Sequence, residues 1–199
     1  EKNVDKNSRT ETYVAMKIYI DNWRWQGVPF YIRTGKRLPT NVTEVVIHFN
    51  PSPMKLFKSA DGGTIPDNQL IIRIQPDEGI LLKTGMKVPG NGYEVKPVNM
   101  DFHYSELNDD YIPSAYERLI LDCMNGDNML YMSNEAVEAT WKFVQPIIDY
   151  WENDKDAPLY GYPSGTWGPD VAVDLIEGKE NTWRYPCKNL AEDGVYCEL

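Results

Sequence analysis

The chain has 199 residues, 42% of them hydrophobic and 25% charged, the balance of a folded globular protein with room for one sizeable domain or two small ones. Its 30 acidic and 20 basic side chains leave a formal charge of −10, a field that repels nucleic acid and anionic lipid, so neither is an expected partner. No apolar run approaches the ~20 residues of a membrane-spanning helix, and no membrane association is expected.

The chain opens at Glu1, without an initiator Met, in a polar stretch over 1–10, which reads as processing or excision from a longer chain. Thr12 to Ile20 is rich in β-branched and aromatic residues and reads as a strand with Val14, Met16, Ile18 and Ile20 on one face. Asp21 to Gly27 reads as a short helical turn stopped by glycine. Val28 to Arg33 is a second strand, left by the tight turn Thr34-Gly35-Lys36. Glu44 to Asn50 and Gln69 to Gln75 follow as strands, then Gly79 to Val88 and Val95 to Tyr104, parted by the turn signal Pro89-Gly90-Asn91-Gly92. Six closely spaced strands without intervening helices favour antiparallel pairing over βαβ units.

The second half changes period. From Ile112, the residues Ala115, Tyr116, Leu119, Ile120 and Cys123 fall at helical spacing, with Pro113 suited to a first turn and Gly126 to a stop. Ser133 can cap a second helix with Val137, Trp141, Val144, Ile148 and Trp151 on one face, which Pro146 should kink or end early. The expected architecture is α+β, a large, mostly antiparallel sheet with helices packed on one face. A domain over 11–180 lies between the polar lead and a tail over 181–199.

No dinucleotide-binding or P-loop glycine pattern is present, nor a nucleophile elbow. Cys123, Cys187 and Cys197 form an odd set without C-x-x-C spacing. They read as reduced thiols of a cytoplasmic protein, with a Cys187–Cys197 bridge as the alternative. His48 and His103 have no metal-ligating neighbours in sequence and read as packed or half-exposed sheet residues, and no metal site is expected. Glu117 and Asp122 read as ion-pair partners of Arg118 or its neighbours. Against this background Arg33-Thr34-Gly35-Lys36-Arg37 stands out, with three cations at a strand exit and a glycine permitting close approach. On spacing alone, a basic turn paired with acidic neighbours explains it as well. Gln75-Pro76-Asp77-Glu78 places an amide able to hold a sugar hydroxyl at a strand end, although Pro-Asp-Glu is also ordinary turn chemistry.

The wording of these segments carries more than their statistics. Thr12-Tyr13-Val14-Ala15, Ile20-Asp21-Asn22-Trp23-Arg24-Trp25, Gly27-Val28-Pro29-Phe30 and Arg33-Thr34-Gly35-Lys36-Arg37-Leu38 occur in that order. Ile72 to Glu78, Ala115 to Ile120, Glu138-Ala139-Thr140-Trp141 and Gly165-Thr166-Trp167-Gly168-Pro169 follow. Together, from about Glu11 to about Pro169, they closely resemble the C-terminal domain of glucose-6-phosphate dehydrogenase.

The resemblance implies a part of an NADP-dependent enzyme that oxidises glucose 6-phosphate to 6-phosphogluconolactone at the entry of the pentose phosphate pathway. NADP would be bound mainly by an N-terminal domain that also supplies the histidine general base. Neither is represented here, so the chain alone is expected to be inactive and no catalytic residue is assigned. In the family this domain lines part of the sugar-phosphate pocket and self-associates through its sheet, implying a homodimer or a dimer of dimers. Lys36 matches the lysine of the turn that contacts substrate, and Gln75 matches a glutamine at the sugar. Asn41 stands five positions after Lys36, where a further basic residue is usual. Arg33, Arg73, Lys83 and Asp101 match positions near a second, structural NADP of some animal members. Val42, Val46 and Trp167 replace basic residues there, which argues against that second nucleotide. The alternative reading is a non-catalytic dimerisation or regulatory module of the same ancestry.

Overall fold

The structure, a computed structural model, describes residues 4–54, 56–63, 65–90, 92–107, 111, 113–178, 181–187 and 190. These fall into two compact units, one made of Glu1–Asn108 with Gly161–Leu199, the other of Asp109–Tyr160. The fold is α+β, as the change of period implies.

The larger unit holds two sheets. Strand β1 (Tyr13–Ile18) pairs antiparallel with β2 (Phe30–Gly35), Tyr13 opposite Gly35 and Ile18 opposite Phe30. The turn between them is stapled by Asn22, whose Oδ1 accepts from the amides of Arg24 at 3.0 Å and Trp25 at 2.9 Å. It closes at Gly27 with φ 79°, a left-handed position where glycine is at no disadvantage. The remaining strands are β3 (Thr43–His48), β4 (Lys58–Ser59), β5 (Gln69–Gln75), β6 (Gly79–Lys87) and β7 (Glu94–His103). They form a mixed sheet in the order β3-β5-β6-β7-β4, antiparallel except where short β4 runs parallel to β7. The period-2 pattern anticipated six of the seven strands to within a few residues; two-residue β4 is too short to carry a pattern.

Register gives this sheet two unlike faces. Ile71 on β5 lies opposite Leu81 on β6, and both are wholly buried. Arg73 and Gly79 share their face, as does Val95 further along. On the other face Val45, Ile72, Ile80 and Phe102 form one cross-strand row, and Ile47, Leu70, Leu82 and Met100 the next. That face stays open to solvent: Val45 is 47% exposed and Met100 54%.

The tail segment 183–186 meets this sheet at Glu44 on β3. Trp183, Arg184, Pro186 and Leu190 are all buried. Trp183 donates its indole N–H to the Ala172 carbonyl at 2.7 Å, and Arg184 pairs with Glu44 on β3 while donating to the Leu190 carbonyl at 2.5 Å. Cys187 is disulfide-bonded, which corrects the expectation of a reduced thiol at that position. Cys123 is free and exposed, and Cys197 lies outside the described residues. The odd count and missing C-x-x-C spacing were poor guides because pairing depends on approach in space, not on distance along the chain.

The smaller unit contains α1 (Ala115–Asn125) and α2 (Asn134–Asn153). Ser114 rather than Pro113 begins α1, through a capping box: its Oγ accepts from the Glu117 amide at 3.4 Å, while Glu117 accepts from the Ser114 amide at 2.7 Å. Glu117 also accepts from Tyr111, so it is a cap and not an ion-pair partner of Arg118. Asp122 takes that pairing, 3.0 Å from Arg118 and one turn away. Gly126 stops the helix in the left-handed region, φ 72°. Ser133 caps α2 as expected, but α2 runs through Pro146 to Asn153, correcting the expected early end. Proline removes one N–H and leaves the rest of the ladder available, so a long helix can continue past it.

Candidate functional site

The basic turn lies where β2 leaves the two-stranded sheet, and its backbone is held from three directions. The Lys36 amide donates to the Thr12 carbonyl at 2.8 Å, and the Gly165 amide to the Arg37 carbonyl at 2.9 Å. The Tyr162 hydroxyl lies 2.8 Å from the Lys36 carbonyl and 3.0 Å from that of Thr12, between two acceptors for its single proton. Tyr13 packs beneath the turn. A Cβ on Gly35 would come 2.6 Å from the Tyr13 ring and one on Gly168 2.4 Å, so only glycine fits at either place. The backbone is pinned while the Lys36 and Arg37 side chains project exposed into solvent, which gives two cations a fixed point of departure. Tyr162 and Gly165 come from a segment that reads only as loop in the sequence; that they secure this turn emerges from the structure.

Arg33, within β2, enters an aromatic enclosure. Its guanidinium carbon lies 4.8 Å from the Trp167 ring, 4.9 Å from Trp183 and 5.1 Å from Tyr185. It also donates to the Arg184 carbonyl. Burial pushes the guanidinium below its ordinary value, opposed by the negative character of Tyr13, Tyr185 and Glu44. Arginine stays charged under such a push because its starting value is so high. Arg33 is thus an internal cation stacked on the protein's own rings.

Gln75 ends β5, and its register partner is Thr43, the first residue of β3. Asn41 sits two positions before Thr43, so pairing brings Asn41 and Gln75 to the same end of the sheet, both exposed. Between Lys36 and Asn41, Thr40 donates its hydroxyl to the Pro186 carbonyl at 3.3 Å, which fastens the connection to the tail. Lys36 follows directly on Gly35, the last residue of β2 in the two-stranded sheet. The Gln75–Pro76 bond is cis.

Beneath the turn that follows Gln75 lies a chain of charge. The Arg73 side chain is wholly buried, and its Nη2 donates to Asp101 Oδ1 at 2.5 Å and to the Phe102 carbonyl at 3.0 Å. Nη1 lies 3.3 Å from Asp101 Oδ2. His103 continues the chain, with Nε2 3.3 Å from Arg73 Nη2 and 3.4 Å from Asp101 Oδ2, while Nδ1 meets Asp77 Oδ2 at 2.6 Å. Burial alone would raise the Asp101 carboxyl, but the hydrogen bond and charge of Arg73, with help from His103, hold it below its ordinary value. The sequence reading gave His103 no role. Asp101 and His103 alternate on one face of β7, and that was the available signal.

His48 lies 3.3 Å from the Gln69 side chain and is pushed below its ordinary value by burial, against the opposing charge of Asp67. It is a strand residue, as expected. Among the described residues no group of three or more His, Cys, Asp or Glu is placed to hold a metal ion, and no helix is long and apolar enough to cross a membrane. Of the positions near the second nucleotide of some animal members, Arg33 is enclosed by aromatics, Arg73 and Asp101 pair with each other, and Lys83 lies opposite Gln69 and Asn99.

The family model for the glucose-6-phosphate dehydrogenase C-terminal domain matches residues 1–184. The chain is 52% identical over 200 residues to glucose-6-phosphate 1-dehydrogenase of Treponema pallidum (strain Nichols), covering 100% of this chain and 39% of that protein. It is also 52% identical over 186 residues to the enzyme of that name from Aggregatibacter actinomycetemcomitans, covering 94% and 36%. The chain therefore spans little more than a third of the length of these relatives. Among solved structures, a glucose-6-phosphate dehydrogenase in complex with its substrate glucose-6-phosphate superposes with a TM-score of 0.77 at 36% identity, over 87% of this chain and 35% of that one. The Mycobacterium avium glucose-6-phosphate 1-dehydrogenase superposes with a TM-score of 0.74 at 36% identity, over 93% and 37%.

Proposed function

The chain belongs to the glucose-6-phosphate dehydrogenase C-terminal domain family, and on that premise we propose that it is the substrate-binding and self-associating part of an NADP-dependent glucose-6-phosphate dehydrogenase. The observation that carries this reading is the Lys36 turn. Its backbone is fixed by Thr12, Tyr162 and Gly165 while its ammonium is presented to solvent. That is the arrangement needed to meet an anionic oxygen without reorganising the chain. Gln75, with donors and an acceptor on one amide, is suited to orient a sugar hydroxyl. Asn41 adds a neutral donor and acceptor at the same end of the sheet as Gln75.

None of these three groups abstracts a proton from a sugar hydroxyl at neutral pH, so the general base and the NADP site belong to the rest of the enzyme. The chain alone is inactive on this reading, and the enzyme works in the cytoplasm. The apolar rows Val45-Ile72-Ile80 and Ile47-Leu82-Met100 on the open sheet face are the surface through which two copies associate.

The test uses the full-length protein that carries this chain. It should reduce NADP with glucose 6-phosphate, and Lys36→Ala should raise KM for glucose 6-phosphate by about tenfold or more, as loss of one charge-assisted contact implies. An unchanged KM removes Lys36 from the substrate site, and a full-length protein without dehydrogenase activity leaves a non-catalytic association module. Sedimentation reads self-association directly: a monomer at high concentration rejects the sheet face as an interface.

A further inference from the structure

We propose that His103 is a positioning residue for Gln75, acting as a clamp that ties the exposed turn Gln75-Pro76-Asp77-Glu78 to the buried Arg73–Asp101 pair. This rests on the reading of Gln75 as a substrate contact. A side chain at a strand end holds a sugar hydroxyl usefully only if the turn that follows it stays in place. His103 supplies that restraint through Asp77, two residues beyond Gln75.

The chemistry of the contact fixes its direction. A carboxylate only accepts, so the 2.6 Å approach of His103 Nδ1 to Asp77 Oδ2 requires the ring proton on Nδ1. The other ring nitrogen, Nε2, sits between Arg73 Nη2 at 3.3 Å and Asp101 Oδ2 at 3.4 Å, so the ring is seated against the buried pair. His103 thus donates to Asp77 from a ring seated against the Arg73–Asp101 pair. Each link is more firmly held than the next: the Arg73 side chain is wholly buried, His103 is 22% exposed and Asp77 43% exposed. Rigidity is thus passed from the sheet interior to a solvent-facing turn.

Two features show that the sheet is shaped around this anchor. A Cβ at Gly79 would come 2.3 Å from the Phe102 carbonyl oxygen and 2.6 Å from Arg73 Nη2, so the absence of a side chain there makes room for the guanidinium. Gly79 and His103 are also register partners, and the Tyr104 amide donates to the Glu78 carbonyl at 3.0 Å. The turn is therefore tied to β7 at two points, one through backbone and one through the His103 ring. The backbone tie holds Glu78. The ring holds Asp77, nearer to Gln75.

The experiment measures steady-state kinetics of the full-length protein carrying His103→Ala, His103→Asn, Asp77→Ala, Gln75→Ala and the His103→Ala/Gln75→Ala double change. His103→Ala and Asp77→Ala should each raise KM for glucose 6-phosphate by about tenfold, the effect of losing one charge-assisted bond, with KM for NADP unchanged. His103→Asn, whose amide can donate to Asp77, should recover most of the loss. The double change should be no worse than Gln75→Ala alone, because a clamp has nothing to position once its target is gone. If Gln75→Ala raises KM while Asp77→Ala and a folded His103→Ala do not, the clamp is refuted and the substrate reading of Gln75 stands. If Gln75→Ala also leaves KM unchanged, that reading falls first. A His103→Asn protein as impaired as His103→Ala overturns the assignment of the Nδ1 donor. Should His103→Ala fail to fold, Asp77→Ala decides alone.

Discussion

Replacing Asp101 by Asn isolates the electrostatic part of the Arg73 anchor, since it keeps the size of the side chain and removes its charge. Breaking a buried ion pair from one side costs about 3–5 kcal/mol, because the remaining charge is left uncompensated in a low-dielectric setting. Arg73 has no side-chain exposure, but Asp101 keeps 24% of its side-chain surface in water. The Phe102 carbonyl also still accepts from Nη2. Solvent screening and the surviving acceptor place the cost at the lower end, about 3 kcal/mol. With a urea m value of about 2 kcal/mol per M, the unfolding midpoint of the 199-residue chain should fall by roughly 1.5 M. Adding Arg73→Met to Asp101→Asn removes the stranded charge and should bring the midpoint back to within about 1 kcal/mol of the parent.

The pH dependence supplies an independent arm. The Asp101 carboxyl is held below its ordinary value in the folded chain, so its contribution is present above the unfolded value near pH 4 and is lost as pH falls through the lower folded value. The parent and Asp101→Asn should therefore converge in acid. A midpoint shift under about 0.3 M at neutral pH, or a gap that persists to about pH 2, would show that the pair does not anchor the sheet as described.

Gly79→Ala should destabilise by about 2–3 kcal/mol, because the new methyl meets the Phe102 carbonyl at 2.3 Å and backbone cannot swing aside as a side-chain tip can. At roughly 2–4 °C per kcal/mol, calorimetry should show a melting point lower by about 4–12 °C, and an unchanged value would mean that β6 and β7 separate freely. Ser114→Ala should cost the α1 unit about 1 kcal/mol through loss of its capping bond to the Glu117 amide. Faster amide exchange confined to the first turn of α1 is the expected signature, and no change there would mean that Glu117 holds the cap alone.

The strands were legible because their alternation is local, and Gln69 to Gln75 shows it well: the residues that alternate in sequence are those that register divides between the buried and open faces. Ser133 and Gly126 were legible for the same reason, since caps and stops act within one turn. Of the two outcomes read for Pro146, a kink or an early end, the early end does not occur, because the missing N–H costs one bond and α2 continues on either side. Cys187 misled because spacing along the chain says little about approach in space. The supports of the candidate site were illegible in another way. Tyr162 meets Thr12 across 150 positions and His103 meets Asp77 across 26, and no window of sequence contains both ends of either contact.

The enclosure of Arg33 has a consequence in time rather than in space. Arg33 reaches the Arg184 carbonyl across 151 positions, Arg184 reaches Glu44 across 140, and Thr40 reaches Pro186 across 146. At about 5–20 residues per second of synthesis, Arg33 waits on the order of 10 s for the rings of Trp183 and Tyr185 to exist at all. The strands β3 to β7 can pair during that interval, whereas the contact between Arg184 and Glu44 forms only once Arg184 has been made. Assembly of this unit is thus ordered by the ribosome: sheet first, tail last. A nascent chain halted before Trp183 would lack two of the three rings around Arg33 and the Arg184 contact to Glu44.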